Sequence, residues 1–339
     1  MKTIRVCALA LALLLAGCTG PVSGTTTTAA ATATPTMSTE AAAASPTPMA
    51  TTSPSSSPSP SVTVSTPPAV ASSLHLSVED YPVVDGSTAT LPLAIAVRAS
   101  VTGETAVQSE EGTRFSTTGP AWLALQQGTA DILIVYEASQ TIQQELVGEY
   151  DKFLKTPIGL DALVFLANEG NPVESLTRQQ IVDIYSGKTT NWKDVGGKDQ
   201  QIVAFQRDEN SGSQTLMKKL AMGGTPMMDA PAELRPSEMA GLITDLATYN
   251  NGANALGYSV YYYVKNMYQA PGVKLLAVDG VSPTSDTIAS GQYAYCNPFY
   301  AVIRADEPAD SPAHKLYDWL TGAEGAAAVE AVGYVPSNR

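Results

Sequence analysis

From residue 78 onward, short unbroken apolar runs alternate with stretches whose apolar residues recur at helical spacing, and that alternation admits few folds. Ile132-Leu133-Ile134-Val135 is a continuous apolar run, the pattern of a strand covered on both faces. Tyr81-Pro82-Val83-Val84, Asp161–Asn168, Ile202–Phe205, Leu256–Val264, Val273–Val278 and Phe299–Arg304 read as further strands. Leu91–Val101 reads as a helix with Pro92 in its first turn, where a missing N–H costs nothing. Ala121–Gln127 is a second helix, closed by Gly128. Thr177 and Gln180 form a capping box that opens a helix to Ser186. Further helices are expected over Gln214–Met222, from Ser311-Pro312 to Leu320, and at the end of the chain. Elements in this order predict an α/β protein, helices on a mostly parallel sheet. A ligand in such a fold sits at the carboxyl ends of the strands, where helices begin.

The N-terminus indicates export. Residues 1–17 carry a short basic start, an apolar run to Ala16 and small residues, the pattern of a signal peptide too short to span a bilayer permanently. Leu15-Ala16-Gly17-Cys18 resembles a bacterial lipobox, which would make Cys18 a lipid-bearing first residue on the extracytoplasmic face of the cell membrane. Residues 19–73 are almost entirely Thr, Ser, Ala and Pro, with too few apolar side chains to offset the entropy of ordering, and so predict an extended tether. With Cys7 removed and Cys18 acylated, Cys296 is left alone, so the exported body has no disulfide framework and the thiol is expected in packing.

Charge narrows the function. Residues 1–73 contain Lys2, Arg5 and Glu40, so the body carries 17 bases against 31 acids. Nucleic acid and anionic membrane surfaces need clustered Lys and Arg, and both are poor partners for such a surface. Two histidines (His75, His314) and three cysteines leave little material for a metal cage, and no cofactor is expected. Catalysis has equally little to stand on: no G-x-S-x-G elbow and no GxxxxGK loop occurs, and the adjacent acids Glu110-Glu111 and Asp208-Glu209 read as solvated charge.

Three loops just before predicted helices share one composition: Ser87-Thr88-Ala89-Thr90, Thr117-Thr118-Gly119 and Ser211-Gly212-Ser213. Each is an ordinary N-cap by itself. Brought together they would offer hydroxyls, free N–H groups and helix dipoles to an anion. The sharpest of the three is Gln206-Arg207-Asp208-Glu209-Asn210-Ser211-Gly212-Ser213. The planar fork of Arg207 suits two oxygens of a tetrahedral oxyanion, and a surface ion pair with Asp208 or Glu209 is the alternative. Tyr258, Tyr261, Tyr262 and Tyr263 read as core and hinge packing, as do Trp122, Trp192 and Trp319.

Seven segments carry a resemblance: YPVVDGSTATLPLA (81–94), ADILIVYEAS (130–139), TPIGLDALVFLANEGNPV (156–173), IYSGKTTNWKDVGG (184–197), QRDENSGSQT (206–215), NALGYSVYYY (254–263) and NPFYAVIR (297–304). In this order the chain resembles the PstS-like phosphate-binding lipoproteins of bacterial ABC importers. The resemblance implies a two-lobed periplasmic-binding-protein-like fold, each lobe a mostly parallel sheet flanked by helices, joined by crossing hinge strands. It places residues 74–160 and 265–339 in one lobe and 161–264 in the other. It implies a monomer that encloses inorganic phosphate and delivers it to the permease and ATPase of an importer.

Carried over by position, the family's anion motif falls on Arg207, Ser211, Gly212 and Ser213. Its first-loop site falls on Thr90 and Leu91, with Thr88 nearby, and its second-loop hydroxyl on Thr118 or Thr117. The carboxylate that accepts the proton of hydrogen phosphate falls on Glu137, within a Tyr-Glu pair that departs from the family's pattern. That acceptor would favour protonated phosphate over sulfate, since sulfate offers it only lone pairs. Receptors for sulfate, molybdate or tungstate share the fold without needing Glu137, and a surface or sensor module on the same fold is the other alternative.

Overall fold

The computed structural model describes residues 68–248 and 252–337. The signal peptide, Cys18 and the tether up to residue 67 lie outside the described residues. The elements run β1 (Val84–Gly86), α1 (Leu91–Thr102), α2 (Ala106–Glu111), α3 (Thr118–Gln127), β2 (Ile132–Val135), α4 (Gln140–Glu145), β3 (Phe153–Asn168), β4 (Ser175–Leu176), α5 (Arg178–Tyr185) and β5 (Val203–Ala204). They continue through α6 (Gly212–Leu216), α7 (Met239–Thr248), β6 (Ala255–Val260), β7 (Val273–Val278), α8 (Ser285–Ala289), β8 (Cys296–Arg304), α9 (Pro312–Thr321), α10 (Ala323–Val332) and β9 (Val335–Pro336).

Two lobes share the long strand β3. In the first, β1 pairs with β2 in parallel, β2 pairs with β8, and β8 pairs with residues 153–162 of β3. In the second, residues 163–168 of β3 pair with β6 and β7, and β5 lies parallel to β6. The sheets are mixed rather than mostly parallel. Among the described residues three ladders are parallel and five antiparallel, because β3 runs antiparallel to β6, β7, β8 and β9, and β8 antiparallel to β2 as well. β7 joins the second sheet, whereas the boundary expected after 264 put residues 265–339 with the other lobe.

β2 is buried at all four positions, as its unbroken apolar run requires, and each such aliphatic side chain contributes about 1.5–3 kcal/mol. β3 begins at Phe153, eight residues before the expected strand; Pro157 and Gly159 interrupt the pattern there, and the ladder with β8 shifts register between them. β6 ends at Val260, so Tyr261–Tyr263 turn into a helical segment instead of prolonging the strand to Val264. The helix expected over Gln214–Met222 is α6 followed by a wider π-helical turn at Met217–Met222. Thr177 and Gln180 do form a capping box on α5, and the Ser311 hydroxyl caps α9. Trp122, Trp192 and Trp319 are buried, and Cys296 is half-buried with its thiol against the Tyr293 carbonyl.

Candidate functional site

Two hollows flank Arg207. The smaller, about 390 Å³, is lined by all three hydroxyl-rich loops: Ser87, Thr88 and Ala89; Thr117 and Thr118; and Asn210 to Ser213. Tyr136, Asp208 and Ser237 add to the wall. The larger, about 990 Å³, is lined by Glu137, Ser139, several glutamines, Lys218, Lys219 and Met227. Arg207, Asp208 and Ser237 belong to both.

Arg207 follows β5 at the end of the second sheet and is 5% exposed, so the surface ion pair left open by sequence does not describe it. Its Nε donates to the Pro236 carbonyl at 3.1 Å and its Nη2 to the Ser237 carbonyl at 2.8 Å. Nη1 is buried and has no partner. Two edges of the guanidinium are thus fixed by main chain while the remaining nitrogen is left to find an acceptor. Burial holds the guanidinium pKa below its usual value, with Tyr258 and Glu238 opposing the shift. The Arg207 main-chain N–H is held in turn by Gln214 Oε1 and Tyr258 Oη.

Ser213 is fully buried and its hydroxyl also has no partner. A buried polar group without a partner costs roughly 1–3 kcal/mol, so two such donors at one pocket mark a place where an acceptor belongs. Ser211 is already engaged: its Oγ accepts from the Gln214 N–H and caps α6. Gly212 stands where a Cβ would meet Thr118 Oγ1 at 2.8 Å and the Tyr136 ring at 3.3 Å.

The first lobe contributes its loops through one carboxylate. Asp85, buried after the start of β1, accepts from the Gly86 and Ser116 N–H groups, each at 2.7 Å, and from the Ser116 hydroxyl. This staples the loop after β1 to the loop before α3. Thr117 then takes φ of 87°, a left-handed value costly for a threonine, and leaves the α3 N-terminus without a side-chain cap. Ser87 Oγ lies 2.8 Å from Thr118 Oγ1 and accepts from the Tyr136 N–H at 3.0 Å.

Of the residues expected at the site, the structure brings Thr88, Thr118, Arg207, Ser211, Gly212 and Ser213 to the smaller pocket. Thr90 does not reach it. The Thr90 hydroxyl turns inward to the carbonyls of Ile134 at 2.6 Å and Ser87 at 2.9 Å, and Leu91 lies outside the wall with it. Glu137 does not reach it either; its carboxylate faces the larger cleft, is 19% exposed and pairs with Lys219. Acidic groups on the smaller pocket are instead Asp208, Glu145 and Glu238. Ser87, Ala89 and Tyr136 were not singled out by sequence, although Ser87 and Ala89 lie in a loop whose composition gave the signal. For Tyr136 the signal was an aromatic with a polar tip directly after a buried strand.

The lobes touch around this pocket. Ser139 Oγ donates to Asn210 Oδ1 at 2.9 Å, and Thr118 abuts Gly212.

The profile of the PBP superfamily domain matches residues 21–324. A phosphate-binding protein PstS of Bacillus subtilis is 28% identical over 159 residues, 43% of this chain and 50% of the relative. The chain spans between 50% and 65% of the length of the first curated relatives it matches. An ABC-type phosphate transport receptor of Vibrio cholerae superposes with a TM-score of 0.56 at 24% identity, over 75% of this chain and 99% of that one. A phosphate ABC transporter substrate-binding protein of Clostridium perfringens, with bound phosphate, gives 0.57 at 23% identity, over 76% and 100%.

Proposed function

Because the chain belongs to the PBP superfamily, we propose that it is a receptor that captures inorganic phosphate in the smaller pocket and passes it to an ABC importer. The observation that carries this reading is the pair of buried, unpartnered donors, Arg207 Nη1 and Ser213 Oγ, on a pocket that three hydroxyl-rich loops help to line. A dianion there would satisfy both donors, with Thr88 and Thr118 reaching it from the facing lobe. The names of the relatives support the ligand, and the contacts between lobes support enclosure by closure, in which ligand stabilises the closed state by its differential affinity.

The permease and ATPase partners, the extracytoplasmic location with a lipid on Cys18, and the monomeric state belong to this same reading. Capture requires no chemistry on the ligand. The residues of the pocket bind and orient.

One observation favours a second reading. With Glu137 drawn away by Lys219, the carboxylate expected to reject sulfate is not on the smaller pocket. A receptor for another tetrahedral oxyanion, such as sulfate, molybdate or tungstate, fits that geometry. Calorimetric titration of the purified, ligand-stripped chain with phosphate, sulfate, molybdate and tungstate separates the two. Binding of phosphate alone supports the first reading, tighter binding of one of the others the second, and silence toward all four oxyanions overturns anion capture.

A further inference from the structure

Asp161 stands on β3 where its pairing passes from the first sheet to the second. It lies opposite Asn297 of β8, and two residues later Leu163 lies opposite Val260 of β6. The side chain is 2% exposed. One carboxylate oxygen accepts from Tyr136 Oη at 2.6 Å; the other accepts from the main-chain N–H groups of Ala162 at 2.7 Å and Tyr262 at 3.0 Å. The titratable groups that face it are Tyr136, Tyr262, Tyr334 and Cys296, none of them a cation.

Those donors come from both lobes and lead to the pocket by two routes. Tyr136 follows β2 of the first lobe. Its N–H is held by Ser87, its carbonyl accepts from Trp122 Nε1 at 3.0 Å, and its ring forms pocket wall against Gly212. Its hydroxyl end is held by Asp161. Tyr262 follows β6 of the second lobe, and its ring stacks on Tyr334 with centroids 3.5 Å apart. The Tyr334 hydroxyl donates to the carbonyl of Ala89, another residue of the wall.

We propose that Asp161 is a positioning residue for anion binding, fixing the Tyr136 ring between the lobes by accepting from its hydroxyl while it anchors the start of the Tyr262 segment. This rests on the anion-receptor reading. Burial pushes the Asp161 carboxyl up to about 6, and hydrogen bonds from Tyr136 and from the main chain at Ala162, Tyr262 and Tyr261 restrain that rise, so near pH 7.5 it is the charged acceptor that grips Tyr136. A hydrogen bond to a charged acceptor is the strong kind, and losing it frees the ring.

The test is calorimetric titration of the full chain with inorganic phosphate at pH 7.5, with thermal unfolding to certify each variant as folded. Tyr136→Phe removes one hydroxyl and keeps the ring. We expect it and Asp161→Ala each to raise the Kd about tenfold, and the double variant to bind no worse than the weaker single. Asp161→Asn keeps an oxygen for the two N–H groups and can donate its amide to Tyr136 Oη, so it should bind within about threefold of wild type. A merely structural role would not give this non-additivity or this rescue. Wild-type affinity in a folded Tyr136→Phe variant overturns the proposal, and so do losses that multiply in the double variant. Should Asp161→Ala not fold, Tyr136→Phe decides by itself. If wild type binds phosphate and the variants are unaffected, this inference fails and the receptor reading stands. If wild type binds none of phosphate, sulfate, molybdate and tungstate, both fall.

Discussion

The hydroxyl of Thr118, at the first turn of α3, faces the Cα of Gly212 so closely that a Cβ there would lie 2.8 Å from it. One residue belongs to each lobe, and the pocket closes on their contact. Gly212→Ala adds that Cβ at a helical position, where alanine is favoured locally. Its cost falls on closure rather than folding. We expect anion affinity to drop about tenfold with the melting temperature nearly unchanged, and Thr118→Ser in the same background, by freeing χ1 so that the hydroxyl can turn aside from the new Cβ, to recover part of the loss. A Gly212→Ala variant that binds normally would show that the lobes need not approach this far.

Arg207 is fixed by the carbonyls of Pro236 and Ser237, and only its third nitrogen is left for a ligand. Lysine carries the same charge without the fork, so Arg207→Lys should lose anion affinity almost as badly as Arg207→Ala, about 30- to 100-fold by titration calorimetry. Near-normal binding by the lysine variant would mean that charge alone suffices.

Asp161 also sets a pH dependence. Its folded pKa of about 6 lies above the ordinary aspartate value of 3.8, so between those values the folded protein holds a proton that the unfolded chain has released. The stabilisation is full below about pH 3.8 and fades as pH rises through 6. Its size is at most about 3 kcal/mol. Urea unfolding from pH 4 to 7.5 should show this decline superimposed on the titration of the other carboxylates, and Asp161→Asn should remove that share. Identical slopes in the two proteins would place the Asp161 titration elsewhere.

Glu137 pairs with Lys219 outside the smaller pocket. Both side chains keep contact with water, and pairs of this kind contribute about 0–1 kcal/mol. Glu137→Gln should therefore change phosphate affinity by less than about fivefold and leave the phosphate-to-sulfate ratio unaltered. Loss of that preference would return Glu137 to the role first expected of it.

What could be read from sequence was whatever short-range pattern determined. Ile132–Val135 is a strand residue for residue, since nothing polar interrupts it, Val273–Val278 is one with only Lys274 breaking its apolar run, and the Thr177–Gln180 box caps its helix because both partners lie within four residues. The shared hydroxyl composition of the three loops likewise anticipated the pocket that they line. Sequence was silent where a distant partner decided. Lys219 is 82 positions from Glu137 and leaves no local trace of their pairing. Thr90 lost its expected place because Thr88–Thr90 form a short helical turn that points its hydroxyl at the Ile134 carbonyl. The early half of β3 was hidden by Pro157 and Gly159, the glycine standing where Phe299 of β8 fills the space a Cβ would need. Aromatic side chains at Tyr261–Tyr263 suit strands, yet the chain leaves the sheet after Val260, where Asp161 captures the Tyr262 N–H.

β3 gives each sheet an inner strand out of one unbroken stretch of sixteen residues. Severing it would strip pairing partners from β8 and β9 on one side and from β6 and β7 on the other. The two halves of the molecule therefore share a strand that neither can give up: a single melting transition is expected of them, and neither should serve as a module in another protein without taking the other along.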